Sequence, residues 1–436
     1  MPTTFPAPVF RCVTCGNTKP LTEIVYRCEC GGLLEVRHDL TALKARPAEE
    51  WRALFESRWG AREGADASGV WRYREMVLPV EPERAVSMPE GMTRLYRSPI
   101  LEREIGLDQL YLKHEGENPT LSFKDRGMTA GVSWARRLGV SSVACASTGD
   151  TSASMAAYAA FAGIPAIVLL PENRVSIEQL SQPIAYGAKT LALKTDFDGC
   201  MRIVAELTRA RPVYLLNSMN SVRIEGQKSI VWETIQQLSW RVPDWIVVPV
   251  GNAGNISALG KGLAEWRELG LLGPEGRLPR LAGVQAVLAN PFARSYRGHF
   301  ARKETLTAGP TVASAIAIGD PVSYDKAKAV VQATGGVVTD ATEDEILDAK
   351  ALVDACGISI CPNSSTAVAG LRKLVADGTI RKGDLVAVVA TAHGLKFSGT
   401  TVAYHEGTLA GVTSRRANRP VSLAPTLEAV LGAIDP

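Results

Sequence analysis

The chain has 436 residues, 46% hydrophobic and 21% charged, enough for two or three domains around a sizeable core. Its formal net charge of +3 gives no reason to expect a nucleic-acid partner or an anionic membrane. The longest apolar runs, 164–170 and 385–390, fall short of the roughly 18 residues that span a bilayer. Met1 to Phe10 lacks a basic segment followed by an apolar one, so no secretory signal is expected and a cytoplasmic protein is the simplest reading.

Residues 1–38 read as a small β unit, with Ile24–Arg27 and Leu33–Val36 as strands flanking the Gly31-Gly32 turn. Four of the eight cysteines fall here, as Cys12-Val-Thr-Cys15 and Cys28-Glu-Cys30. Four thiolates on two short loops can make a tetrahedral zinc site. The single residue between Cys28 and Cys30 is shorter than the usual spacing, so zinc and four free thiols both stay open. Residues 39–95 suggest short helices and loops without a motif. From Tyr111 onward, short apolar β-rich runs alternate with helical stretches. Ser142–Cys145 leads to a helix over 151–162, Ala166–Leu170 to one around 176–186, and Trp245–Pro249 to one starting near Asn255; Leu385–Val389 is the last strand. Nearly continuous apolar strands separated by helices predict a parallel sheet covered on both faces, with ligands at the strand carboxyl ends. A last short helix is expected over 423–431.

Five loops carry residue types suited to chemistry. Lys124 stands in the turn-marked segment Asn118–Gly127; a lysine with a lowered pKa can form an imine with an aldehyde cofactor, although a lone lysine is ordinarily a surface charge. Ala146–Ser154 follows a strand and opens a helix, so its amides and hydroxyls suit a carboxylate or phosphate, or ordinary capping. Val250–Ile256 brings glycines and amides to a second helix start without the dinucleotide spacing. Asn217–Lys228 clusters Asn, Ser and Arg, which fits phosphate recognition. In Ala390–Lys396, Thr391 offers a neutral hydroxyl, and His393 is more often a structural histidine than a base.

In their order and spacing, these loops resemble the β-family of pyridoxal phosphate enzymes. Within it the chain resembles the threonine synthases, most closely the plant-type branch, from about Ile24 to His405. The matching blocks are SFKDRGMT, CASTGDTSAS, TDFDGCM, NSMNSVRIEGQK, VPDWIVVP, ASAIAIGDPVS and ATAHGLKF. The general family more often has Asn at Asp150 and Glu-Pro-Ala-Ser at Cys361-Pro-Asn-Ser; the plant-type branch looks like this chain at both places. The cysteine cluster is closer to microbial relatives.

The resemblance implies an α/β protein of fold type II: two open twisted α/β domains and a small N-terminal, zinc-ribbon-like β unit. The expected organisation is a Cys-containing unit over 1–38, an extension over 39–110, a large cofactor domain from 111–131 and 223–410, a small domain over 132–222, and a tail over 411–436. It implies conversion of O-phospho-L-homoserine and water to L-threonine and phosphate, in a homodimer. Lys124 matches the Schiff-base lysine and the catalytic residue. Gly251, Asn252, Ala253, Gly254 and Asn255 match the cofactor-phosphate loop, and Thr391 the residue facing the pyridine nitrogen. Ser147, Thr148, Asp150 and Thr151 match the loop that holds the substrate carboxylate and neighbours the ring hydroxyl. Asn217, Ser218 and Arg223 match the recognition of the substrate phosphate. Cys12, Cys15, Cys28 and Cys30 are the candidate metal ligands. A carboxylate beside a phenolate oxygen repels it, so Asp150 is expected either to share a proton there or to turn toward backbone amides. A related threonine dehydratase or β-replacement synthase needs no second phosphate subsite, so the 217–223 block counts against it. Retention of Lys124 with all its loops counts against a non-catalytic paralogue.

Overall fold

The computed structural model describes residues 7–172 and 177–434. Three short antiparallel strands form the N-terminal unit: β1 (Val9–Cys12) lies between β2 (Thr18–Pro20) and β3 (Leu34–Arg37). The stretch 24–27 expected as a strand is not one; it makes a single bridge, Arg27 to Leu33. Tyr26 works through its side chain instead. Its hydroxyl accepts the Leu215 N–H at 2.7 Å, and its ring lies 6.0 Å from that of Tyr214. Val9–Cys12, not singled out in the sequence, takes the central position because alternate residues Phe10 and Cys12 turn inward.

Strands β4 (Leu95–Arg97) and β5 (Gln109–His114) come next, followed by β6 (Ser142–Ala146), β7 (Ala166–Pro171), β8 (Lys189–Leu193) and β9 (Val213–Leu215). The chain then adds β10 (Trp245–Pro249), β11 (Arg280–Ala286), β12 (Val337–Ala341) and β13 (Leu385–Ala390). The middle group forms a parallel sheet in the order β8-β7-β6-β9, and the rest form a sheet in the order β12-β11-β10-β13-β5-β4, parallel except for β4. Every residue of β10 and of β13 is buried, which explains why these strands read as unbroken apolar runs rather than alternating ones. The helices Asp150–Ala162 and Gly254–Glu268 start within one residue of expectation, whereas the final helix runs over Leu427–Ile434. Ser176, where another helix was expected to start, lies outside the described residues; that helix is described from Ile177 to Ala185.

Each sheet contains one reversal of strand order. In the smaller sheet the chain moves outward from β6 to β8 and then returns to β6's other side as β9. In the larger it moves from β10 to β12 and returns to β10's other side as β13. Such switch points open a crevice at the strand carboxyl ends, because neighbouring connections leave in opposite directions. The loops after β6, β9, β10 and β13 are the four that carry the candidate residues, besides the Lys124 segment.

The motif-poor segment 39–95 is an aromatic clamp. Trp51, Phe55 and Tyr73 are fully buried against Trp232 and Trp266, with Phe55 and Trp266 stacked at 6.2 Å and Trp232 and Trp266 at 5.6 Å. A charged cluster lies beneath the same region. Arg126, in the helix Lys124–Arg137, donates to Glu115 at 2.7 Å and to Glu233 at 2.8 Å; Arg72 and Lys113 also pair with Glu233, and all five side chains are fully buried. Burial opposes ionisation of Glu233, yet Arg126, Lys113 and Arg72 hold its carboxyl far below the usual range. Replacing Glu233 with Gln leaves three buried cations around one remaining carboxylate, Glu115. The expected cost is about 3–5 kcal/mol, the scale for stranding a buried charge, read as a lower denaturant midpoint. An unchanged midpoint contradicts this account of the cluster.

Candidate active site

A cavity of about 400 Å³ lies at the two switch points. Its wall contains Lys124, Thr148, Asp150, Thr151, Asn217, Ser218, Arg223, Thr391 and all of Gly251 to Asn255. Ser147 is the one expected cavity residue that does not line it. Its hydroxyl accepts the Gly149 N–H at 3.2 Å, so it shapes the turn from behind. The four cysteines come together in the N-terminal unit, apart from this cavity.

Lys124 opens its helix directly after Phe123, whose ring centre lies 3.8 Å from the ammonium. The side chain keeps some surface open to the cavity, while the surrounding protein disfavours its charge. Burial lowers its pKa to about 8; Asp150 pulls it up, and Arg223 and Lys396 push it down. An amine in that range exists in both protonation states near neutrality.

The loop after β10 is built to receive an anion. The helix Gly254–Glu268 begins with no side-chain cap, and Ala253 before it is held in the left-handed region at φ 61°. The orphan amides of a helix start with this geometry favour negative charge. Gly251 presses against the segment 314–318, where a Cβ would sit 2.9 Å from the Ile316 Cα. Asn252 ties the loop outward, its Oδ1 accepting the Val322 N–H at 3.4 Å and its Nδ2 donating to Ser218 at 3.4 Å. The Asn255 amide is buried with neither its nitrogen nor its oxygen partnered by a protein group. A buried, unpaired amide at an uncapped helix start calls for a polar ligand. These features, with Lys124 in the same cavity, fit pyridoxal phosphate: its phosphate suits the 251–255 cradle and its aldehyde suits the lysine.

Thr391 is buried, its Oγ1 lying 3.2 Å from Ser364 Oγ; Ser364 also accepts the Thr391 N–H at 2.8 Å. Thr391 thus presents an uncharged hydroxyl held in place by a second one. Arg223 is buried, donates to the Leu216 carbonyl at 3.2 Å, leaves its Nε without a partner and makes no ion pair with a carboxylate among the described residues. Burial lowers its pKa to about 10. A guanidinium in this state is a standing demand for an anion. Asn217 spends its amide on the Ala146 backbone, accepting from N at 2.9 Å and donating to O at 2.7 Å, so it secures the switch point of the smaller sheet.

Asp150 turns to a side-chain partner rather than to backbone amides. Its carboxylate pairs with Lys396 at 3.0 Å, and Lys396 also donates to Thr120 O at 3.0 Å and to Gln182 Oε1 at 2.7 Å. The negative charge of Asp150 is thus met by a buried cation 246 positions further along the chain. Lys396, Ser364 and Asn363 were not among the candidates. The only sequence signal for Lys396 was a charged residue in the loop after a fully apolar strand. His393 is structural, its Nδ1 accepting the Leu395 N–H at 3.1 Å.

Residues 86–392 match the family model described as "Pyridoxal-phosphate dependent enzyme". The chain is 45% identical to "Threonine synthase 2, chloroplastic" of Arabidopsis thaliana over 422 residues, covering 95% of this chain and 81% of that protein. It is also 45% identical to a threonine synthase of Methanocaldococcus jannaschii over 388 residues, 88% of this chain and 92% of that one. Among solved structures, the threonine synthase of Escherichia coli shares the fold with a TM-score of 0.68 at 18% identity, over 98% of this chain and 95% of that one. The chain belongs to the pyridoxal-phosphate-dependent enzymes and, within them, to the threonine synthase family.

Proposed function

We propose that this enzyme converts O-phospho-L-homoserine and water to L-threonine and phosphate in the cavity between the two switch points. The observation that carries the reading is the second anion demand. Arg223 lies buried and without a carboxylate in a cavity that already holds the 251–255 cradle. A substrate without its own phosphate, as in a dehydratase, leaves that guanidinium uncompensated. The two parallel sheets support a division into a large unit, 111–131 with 223–410, and a small one, 132–222. A homodimer belongs to the same reading on the family resemblance, and a cytoplasmic location on the sequence alone.

The chemistry that pyridoxal phosphate supplies when bound is an electron sink for charge at the substrate Cα. Gly251 to Asn255 would hold its phosphate, Lys124 would bond its aldehyde carbon, and Thr391 would offer a neutral hydroxyl to its ring nitrogen, which would be less protonated there than beside a carboxylate. Thr148 and Thr151, at the start of the helix Asp150–Ala162, bind the substrate carboxylate. Ser218 and Arg223 hold the substrate phosphate and orient it for departure from Cγ. The amine of Lys124, once free, removes protons at Cα and Cβ as phosphate leaves Cγ; a proton returns to Cγ, water adds its hydroxyl at Cβ and gives its other proton to the released phosphate, and a proton returns to Cα. With its pKa near 8 it can act in both directions. The Lys396–Asp150 pair sets the field in which it does so.

Three variants test this reading. Lys124→Ala should abolish phosphate release from O-phosphohomoserine, by about a thousandfold or more if the amine is the acid–base group. Arg223→Met should lower kcat/KM for the phosphorylated substrate roughly 10- to 100-fold, the loss of one charge-assisted contact of about 1.5–3 kcal/mol. Turnover of threonine or serine that matches that of the phosphorylated substrate favours a dehydratase instead. Lys396→Met removes a cation that lowers the Lys124 pKa and leaves the Asp150 anion that raises it. The acidic limb of the kcat–pH profile should therefore move upward by roughly one pH unit. A limb that stays in place separates Lys396 from the acid–base chemistry.

A further inference from the structure

The N-terminal unit contains a second site that the reaction does not use. Its four cysteines come from two places: Cys12 ends β1 and Cys15 lies in the turn after it, while Cys28 and Cys30 belong to the turn before β3. Their sulfurs all lie within 4.8 Å of one another. Cys12 and Cys30 stand 3.5 Å apart, Cys15 and Cys28 3.6 Å, and Cys15 and Cys30 3.5 Å. A disulfide needs about 2.05 Å, so none of these contacts is one. Four thiolates bound tetrahedrally at about 2.3 Å from a zinc ion stand roughly 3.8 Å from each other, close to the spacing found.

The backbone around the sulfurs is arranged for that geometry. The Thr14 N–H donates to Cys12 Sγ at 3.4 Å, placing an amide dipole on a sulfur that gains negative charge when it binds a cation. The short Cys28-Glu-Cys30 spacing, an objection on sequence grounds, is accommodated by a tight turn in which the Gly31 N–H donates to the Cys28 carbonyl at 2.8 Å and the Cys28 N–H to the Gly32 carbonyl at 2.9 Å. Gly32 leaves the sulfurs room: a Cβ there would lie 2.7 Å from Cys12 Sγ.

We infer that Cys12, Cys15, Cys28 and Cys30 bind one zinc ion as four thiolates, and that this ion is structural. The donor set is soft and tetrahedral, which suits zinc or iron and not magnesium or calcium. All four positions are filled by protein sulfur, so no open position remains for a substrate or water. None of the four lines the cavity that holds Lys124. A three-stranded unit of this size has few apolar residues of its own, and below about 40 residues a metal or disulfide ordinarily supplies what a core cannot. What the ion secures is a set of contacts to the smaller sheet and to two helices, Val222–Gln227 and Tyr324–Ala333. Tyr26 takes the Leu215 N–H at the edge of the smaller one. Lys326 donates to the Leu34 carbonyl at 2.7 Å, and His38 lies 2.8 Å from Glu225, two residues past Arg223.

The full-length, cofactor-loaded enzyme tests the inference by metal analysis together with thiol titration. One zinc per chain is expected, with four thiols that react only after the metal is displaced. Enzyme produced with cobalt should show the visible absorption of tetrahedral cobalt thiolate. The double variant Cys15→Ser, Cys30→Ser alters the two exposed ligands and should lose the metal while the cofactor still binds. Wild-type enzyme with substoichiometric zinc and four freely reactive thiols overturns the inference, whatever the variant does. Iron in place of zinc overturns the identity of the ion, and recovery of a disulfide overturns the site.

Discussion

Arg126 is the constraint on which the rest of the site depends. It lies two residues after Lys124, in the same helix, and carries its charge where no water reaches. A buried guanidinium is tolerable only if its donors are satisfied in fixed directions. Glu115, following β5, and Glu233, in the helix Ser229–Gln237, supply those directions. The network therefore fixes the start of the Lys124 helix against the larger sheet and against a second helix at once. Three cations share two carboxylates there, so no member can leave without exposing an unpaired charge. The amine at the head of the helix inherits that rigidity, which is what positioning for proton transfer requires.

The two sheets place the remaining groups by a different principle. A reversal of strand order opens a crevice without any side chain having to create it. One reversal puts Thr148 and Arg223 at the ends of β6 and β9, and the other puts the 251–255 cradle and Thr391 at the ends of β10 and β13. Topology thus accounts for where the loops meet, and the loop residues account for what they bind. The two anion subsites differ in kind. The cradle works with backbone amides at a helix start, whose partial charges cannot titrate. The other offers a full guanidinium whose charge the burial makes costly, so it calls for an anion beside it.

Much of this was legible in the chain. The apolar runs at 245–249 and 385–389 reported buried parallel strands because both their faces are covered, and loops at the ends of such strands are where ligands bind. What stayed hidden was pairing between side chains far apart in sequence. Tyr26 looked like part of a strand because aromatic and β-branched residues surround it, yet its hydroxyl caps the edge of another sheet. Trp51, Phe55 and Tyr73 carry no periodic signal that distinguishes a clamp from any other half-helical stretch. Asn217 was read as a phosphate ligand from its residue type, and the Ala146 backbone takes its amide. Lys396 and Asp150 are 246 positions apart, and no local rule connects them.

That last pair alters what Asp150 means. Taken alone, a carboxylate at Asp150 adds negative charge to the cavity that contains Lys124. Taken with Lys396 at 3.0 Å, it becomes one half of an almost fully enclosed ion pair. The pair joins the helix start after β6 to the loop after β13, so it spans the two switch points. Gln182 and Thr120 hold the lysine from two further elements, which fixes its charge in place. Asp150 and Lys396 act on Lys124 with opposite signs, and their separation decides how far they cancel. Any movement of one sheet against the other changes that separation, and with it the proton affinity of the lysine. The geometry of the crevice and the protonation of its central amine are therefore coupled through one buried pair.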